Sequence, residues 1–134
     1  MAGAVDFDVI IAGGGMVGAS LALQLSCQSE QSIKILLVES FPLPEADTTA
    51  PVYRPSFDAR STALSYGSRL ILEKSAVWPA LAEHVSPIKS IHVSEKGSLG
   101  SATMTGADIS WPELGYVIEN TWLGNVLLSG LRGH

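Results

Sequence analysis

The chain has 134 residues, 46% of them apolar and 16% charged, with a net charge of −5. That length fits one small domain or part of a larger one, and the composition describes a buried core, not a disordered chain. With no Lys/Arg cluster and no apolar run near the ~18 residues of a membrane span, a nucleic-acid footprint, a polybasic membrane patch and a transmembrane helix are all excluded.

Met1 to Asp8 carries Asp6 and Asp8 where a secretory signal would be basic. The protein is therefore expected to be cytoplasmic, soluble or peripherally attached to a membrane. Val9-Ile10-Ile11-Ala12 is a short apolar run that stops at Gly13-Gly14-Gly15. Its length and β-branching predict a buried parallel strand. From Met16 to about Gln28 the pattern turns helical, with Val17, Leu21 and Leu25 forming one apolar stripe. Cys27 lies on that helix. A lone cysteine builds no internal disulfide framework, and among apolar neighbours it reads as a packing residue in a reducing compartment. After a polar turn at 29–32, Ile33 to Val38 predicts a second strand. Strand, helix and strand over 6–40 make a βαβ unit, whose crossover is right-handed.

Residues 41–60 read as a long loop, punctuated by Pro42, Pro44, Pro51 and Pro55. The remainder, 61–134, reads as helices and strands. Ser61 to Val77 predicts a helix, with Ser61 as N-cap and Ala63, Leu64, Leu70, Ile71 and Leu72 on its apolar side. Pro79 permits a short second helix through about His84. Ile88 to Ser94 and Ser101 to Thr105 predict a hairpin turning at Gly97. Tyr116 to Glu119 predicts a strand, and Asn120 to Leu131 a helix with Leu123, Leu127 and Leu131 at helical spacing. A sheet begun this way needs more parallel strands for cover, so the sequence is expected to be an N-terminal piece of a longer protein.

Gly13-x-Gly15-x-x-Gly18 is the sharpest motif, because a strand precedes it and a helix follows. Gly13 allows the tight turn, Gly15 lets a pyrophosphate approach the backbone, and Gly18 lets the helix pack closely. The helix offers its unpaired N–H groups and positive dipole end to the phosphates. Glu39 follows the second strand, at the spacing of the acid that accepts from a ribose hydroxyl. A carboxylate there repels a 2′-phosphate, so the pair suits FAD or NAD and not NADP. In Phe57-Asp58-Ala59-Arg60, alternation puts Asp58 and Arg60 on one side. Arg60 is then either a group aimed at a cofactor's phosphates or half of a surface ion pair.

The glycine loop with Met16 and Val17, Glu39, and Asp58-x-Arg60-x-x-Ala63-Leu64-Ser65 together resemble the aromatic-ring hydroxylases of ubiquinone biosynthesis. These are flavoprotein monooxygenases of the p-hydroxybenzoate hydroxylase type. Ile91-His92-Val93-Ser94 and Gly115-Tyr116-Val117-Ile118-Glu119-Asn120 fit the same group. The resemblance implies an α/β fold: a Rossmann-like FAD-binding domain of that type, incomplete at its C-terminus. It implies FAD held by Gly13, Gly14, Gly15, Gly18 and Glu39, with Arg60 contacting the cofactor. It also implies NAD(P)H as reductant, dioxygen as co-substrate and a polyprenyl phenol as the molecule hydroxylated. Peripheral attachment to the inner membrane or to a ubiquinone-biosynthesis complex would follow. The family's downstream Gly-Asp segment lies outside this sequence, so the segment alone is expected to be inactive. At Asn125, related flavoproteins carry a basic or amide residue near the cofactor.

The flavin carries the hard chemistry, so no acid, base or nucleophile is assigned. His84, His92 and His134 are scattered, without metal-ligand spacing. Trp78, Trp111 and Trp122 read as core or interface residues. From the residues alone, two other readings stay open: an NAD-dependent or other two-dinucleotide oxidoreductase, and a non-catalytic fragment.

Overall fold

The computed structural model describes residues 6–28, 32–42, 57–97 and 99–133. The βαβ unit is present. Strand β1 (Val9–Ala12) leads into helix α1 (Met16–Gln28), and strand β2 (Ile35–Val38) returns parallel to β1, pairing Val9 with Ile35 and Ala12 with Val38. The second strand starts at Ile35, later than the apolar run suggests. Lys34 is engaged in guiding the chain into register: its N–H donates to Asp8 Oδ2 at 2.8 Å and its carbonyl accepts from Asp8 N at 2.8 Å.

Helix α1 buries a different face from the one expected. Val17 is 84% exposed and Leu21 is also exposed, whereas Ala19, Ala22 and Leu23 are buried. Small residues at 19 and 22 let α1 approach its neighbours, and helix α4 (Asn120–Gly130) packs against it. Val17 and Leu21 instead border an open groove of about 450 Å³ shared with Leu64 and Ile71.

The predicted helix from Ser61 to Val77 is corrected. Ser61–Ser65 is strand β3, and helix α2 runs only from Tyr66 to Lys74. Ser61 caps nothing. Ser65 is the N-cap, accepting from Ser68 N at 3.1 Å. Ser61 to Ser65 alternates, with Thr62 and Leu64 turned inward, and that period suits a strand once a partner exists. The partner is strand β7 (Gly115–Glu119), antiparallel, with Ser61 opposite Glu119 and Ser65 opposite Gly115.

Helix α3 (Trp78–Ala82) follows with Pro79 in its first turn, as expected. The predicted strand at 88–94 is two strands: β4 (Val85–Ile88), on the other edge of β7, and β5 (Ser90–Ser94). Pro87 lies in β4, an edge strand, where its missing N–H costs no ladder bond. Strand β5 and strand β6 (Ser101–Thr105) form the expected hairpin, and Gly97 has φ +87°. Strand β7 and helix α4 lie where the sequence predicts them.

One core joins helices α1, α2, α3 and α4 to the β3–β7–β4 sheet. Ala19 and Leu23 of α1, Phe57, Leu72, Trp78, Leu81, Ile118, and Leu123, Leu127 and Leu128 of α4 pack together. Trp78 meets Tyr116 edge-on at 4.9 Å, Trp122 stacks on His84 at 3.6 Å, and Trp111 lies against Tyr66 at 5.1 Å. Cys27 sits on α1 with its Sγ 3.7 Å from the Ser75 carbonyl oxygen, which supports its reading as a packing residue. Phe41, Pro42 and 57–60 belong to the predicted long loop. Pro44, Pro51 and Pro55, residues 29–31 of the polar turn, and His134 lie outside the described residues.

Candidate dinucleotide site

The glycine loop joins β1 to α1. Gly13 has φ +102°, a conformation that other residues rarely adopt, and its N–H donates to Val38 O at 2.8 Å. The turn is thereby tied to the end of β2. A Cβ on Gly18 would run into the Gly13 carbonyl and crowd Ile11 Cγ2. Glycine at 18 is what lets the helix start directly over the strand. Gly15 opens α1, its carbonyl accepting from Ala19 N at 2.9 Å. The amides of Met16, Val17 and Gly18 precede that first helical bond and so have no carbonyl four residues back within the helix.

Glu39 stands at this loop. Its Oε2 accepts from Gly14 N at 2.6 Å, and its Oε1 accepts from Ser40 N at 2.7 Å and Phe41 N at 3.2 Å. A Cβ on Gly14 would meet the Glu39 side chain at 2.9–3.2 Å. A carboxylate accepts from a hydroxyl, and the amides at the helix start can take an anion. The residues present therefore fit a dinucleotide with a free ribose hydroxyl.

Asp58 and Arg60 do share one side. Arg60 Nε donates to Asp58 Oδ2 at 2.6 Å, and Arg60 N donates to Asp58 Oδ1 at 3.0 Å. The Arg60 side chain remains 82% exposed. Its position relative to a helix differs from expectation: β3 follows it, and the nearby helix start belongs to α4, whose Asn120 N donates to Arg60 O at 2.9 Å. The backbone N–H of Arg60 is the chief reason Asp58 titrates below its ordinary value; partial burial opposes this, and the Arg60 guanidinium and Asn120 amide reinforce it.

Gly13, Gly14, Gly18 and Glu39 are brought into direct contact. Arg60 belongs to a second cluster, linked to the first through α1, the shared core and α4. Asn125 lies in the second turn of α4. Sequence reasoning missed Asn120 and Thr62. Asn120 Nδ2 donates to Asp58 Oδ1 at 3.1 Å, and Thr62 Oγ1 donates to Asn120 Oδ1 at 2.6 Å. The available signal was an amide at a strand-to-helix junction, which marks a helix start and names no partner.

No protein-family model matches the chain. It is 30% identical over 124 residues to ubiquinone hydroxylase UbiL of Rhodospirillum rubrum, covering 92% of this chain and 27% of that protein. It is also 30% identical over 129 residues to the 3-demethoxyubiquinol 3-hydroxylase of Escherichia coli, covering 95% of this chain and 30% of that one. The chain is similar to both hydroxylases over nearly its whole length. It spans less than a third of the length of either of these hydroxylases. Among solved structures it matches p-nitrophenol 4-monooxygenase PnpA from Pseudomonas putida with a TM-score of 0.59, at 18% identity, covering 92% of this chain and 28% of that one. That likeness is one of fold. The α/β fold and the kinship read from the glycine loop, Glu39 and the Asp58–Arg60 segment both stand.

Proposed function

We propose that this chain holds the adenosine end of FAD in a flavoprotein monooxygenase of ubiquinone biosynthesis. The observation that carries the reading is the Glu39 carboxylate, seated against Gly14 N–H at the mouth of the glycine loop. Glu39 accepts a ribose hydroxyl there, while Gly13, Gly14 and Gly15 let the pyrophosphate reach the backbone and Gly18 seats α1 beneath it. Arg60 offers the exposed part of its guanidinium to a cofactor oxygen. Bound FAD supplies the redox chemistry; the protein's part is binding, orientation and exclusion of water.

The substrate in this reading is a polyprenyl phenol, with NAD(P)H as reductant and dioxygen as co-substrate. The names of the homologues, a ubiquinone hydroxylase and a 3-demethoxyubiquinol 3-hydroxylase, support hydroxylation of a molecule of the ubiquinone pathway. Such a substrate resides in lipid, so the reading includes peripheral attachment at the inner membrane or to a complex of the pathway. No described helix is long and apolar enough to cross a membrane.

The test is to purify the product of the complete reading frame and record its visible spectrum. A flavin spectrum is expected, with FAD released on denaturation. A colourless protein that takes up no added FAD, or one that retains NAD instead, overturns the reading.

A further inference from the structure

Among the described residues, Ser75 and Asn120 are the buried polar ones, at 3% and 4% exposure. Ser75 is accounted for by the end of α2, where its Oγ donates to Ile71 O at 3.1 Å. Asn120 stands at the start of α4 and directs both ends of its amide toward the Asp58–Arg60 segment and the strand that follows.

The sense of that amide is dictated by its neighbours. A carboxylate only accepts, so the group facing Asp58 Oδ1 must be the NH₂. The carbonyl oxygen then faces Thr62, whose hydroxyl donates to it. Turned the other way, the amide would set an oxygen against the carboxylate. Asp58 is held from three directions, by Asn120 Nδ2, by Arg60 N and by Arg60 Nε. Asn120 also holds Arg60 through the main chain, with its N–H on the Arg60 carbonyl. One turn into α4, a Cβ on Gly124 would drive into the Phe57 ring. Helix α4 therefore grips the segment at both ends, by packing at Phe57 and by hydrogen bonds at 58–60.

An ion pair this exposed does little for stability. A buried amide spent on its acceptor makes sense as orientation. With Nε fixed on Asp58, the guanidinium plane is set while the rest of the fork stays in solvent, suited to paired oxygens of a phosphate.

We propose that Asn120 is a positioning residue that acts through Asp58 to aim Arg60 at a phosphate of the bound dinucleotide, with the Thr62 hydroxyl anchoring the Asn120 carbonyl. The proposal rests on the reading of Arg60 as a cofactor contact. In the folded protein of the complete reading frame the Arg60 Nε–H resonance should exchange slowly with water. In Asn120→Ala and Thr62→Val it should exchange about tenfold faster, the weight of one hydrogen bond to a charged group, while Thr62→Ser keeps the original rate.

The second measurement is FAD affinity in the apoprotein of the complete reading frame, for wild type, Arg60→Ala, Asn120→Ala and the double variant. Asn120→Ala should weaken FAD about tenfold alone and hardly at all once Arg60 is gone. Equal losses in both backgrounds would make Asn120 a purely structural residue and overturn the proposal. So would an unchanged Arg60 Nε–H in Asn120→Ala and Thr62→Val, each checked for folding by circular dichroism. If wild type binds no FAD, the cofactor reading fails, and the role assigned to Asn120 toward a bound phosphate falls with it. If wild type binds FAD and the cycle is additive, only the positioning role fails.

Discussion

The glycine loop and the Arg60 cluster hold polar groups by opposite means. At the loop, backbone amides of Gly14, Ser40 and Phe41 converge on one carboxylate, Glu39. At the cluster, side chains run in series: Thr62 donates to Asn120, Asn120 donates to Asp58, and Asp58 accepts from the Arg60 guanidinium. The loop is drawn from a single βαβ unit; the cluster joins residues 58 and 120 across the chain. A backbone site is broken by adding atoms, because its shape depends on side chains that are absent. A side-chain site is broken by removing atoms or changing protonation, and the fold around it survives.

Phe57→Ala should have the largest effect on stability. Its ring is 1% exposed and fills the space against Gly124 beneath the Arg60 cluster. Loss of a buried phenylalanine costs about 3–5 kcal/mol, measured by urea unfolding. A loss under 1 kcal/mol would mean that the cluster does not stand on this packing. Gly18→Ala should come next, at about 1–3 kcal/mol, because the added methyl meets the Gly13 carbonyl and not a flexible side chain. It should also abolish FAD binding, and retained binding would show that the loop has room to yield.

A fall in pH perturbs the Arg60 cluster more gently. Asp58 is held below its ordinary value first by Arg60 N–H. Its contribution is therefore complete above the ordinary carboxylate range and lost as pH falls through the depressed value. Asp108 is depressed in the same way by Thr105 N–H, so both contribute to acid sensitivity. Carbon-detected NMR titration should show both carboxyls protonating at lower pH than an unperturbed aspartate. Asn120→Ala should move Asp58 upward and leave Asp108 unmoved. A shift at both residues would point to a global change and not to loss of one hydrogen bond.

The same contrast explains what was legible in the sequence. Gly13, Gly15, Gly18 and Glu39 announce themselves, since each is tied to a strand or helix boundary within one unit. The start of β3 was not legible. Ala63 and Leu64 fit a helical period as well as a strand, and the partner that decides between them, β7, comes after two helices and three strands. The inner face of α1 was misread because Val17 and Leu21 are large and Ala19 and Ala22 small. Close packing against α4 favours the small residues, a fact about the neighbour that α1 itself does not carry. Asp58 and Arg60 could be paired from alternation alone. Asn120 could not be added to them, because only the folded chain places the start of α4 beside that segment.

The most direct test of the central claim is the FAD affinity of Glu39→Ala against wild type in the apoprotein of the complete reading frame. Loss of a charged acceptor to the ribose should weaken FAD at least about tenfold. Equal affinity in the two proteins would contradict the assignment of Glu39 and the glycine loop to the adenosine end of the cofactor.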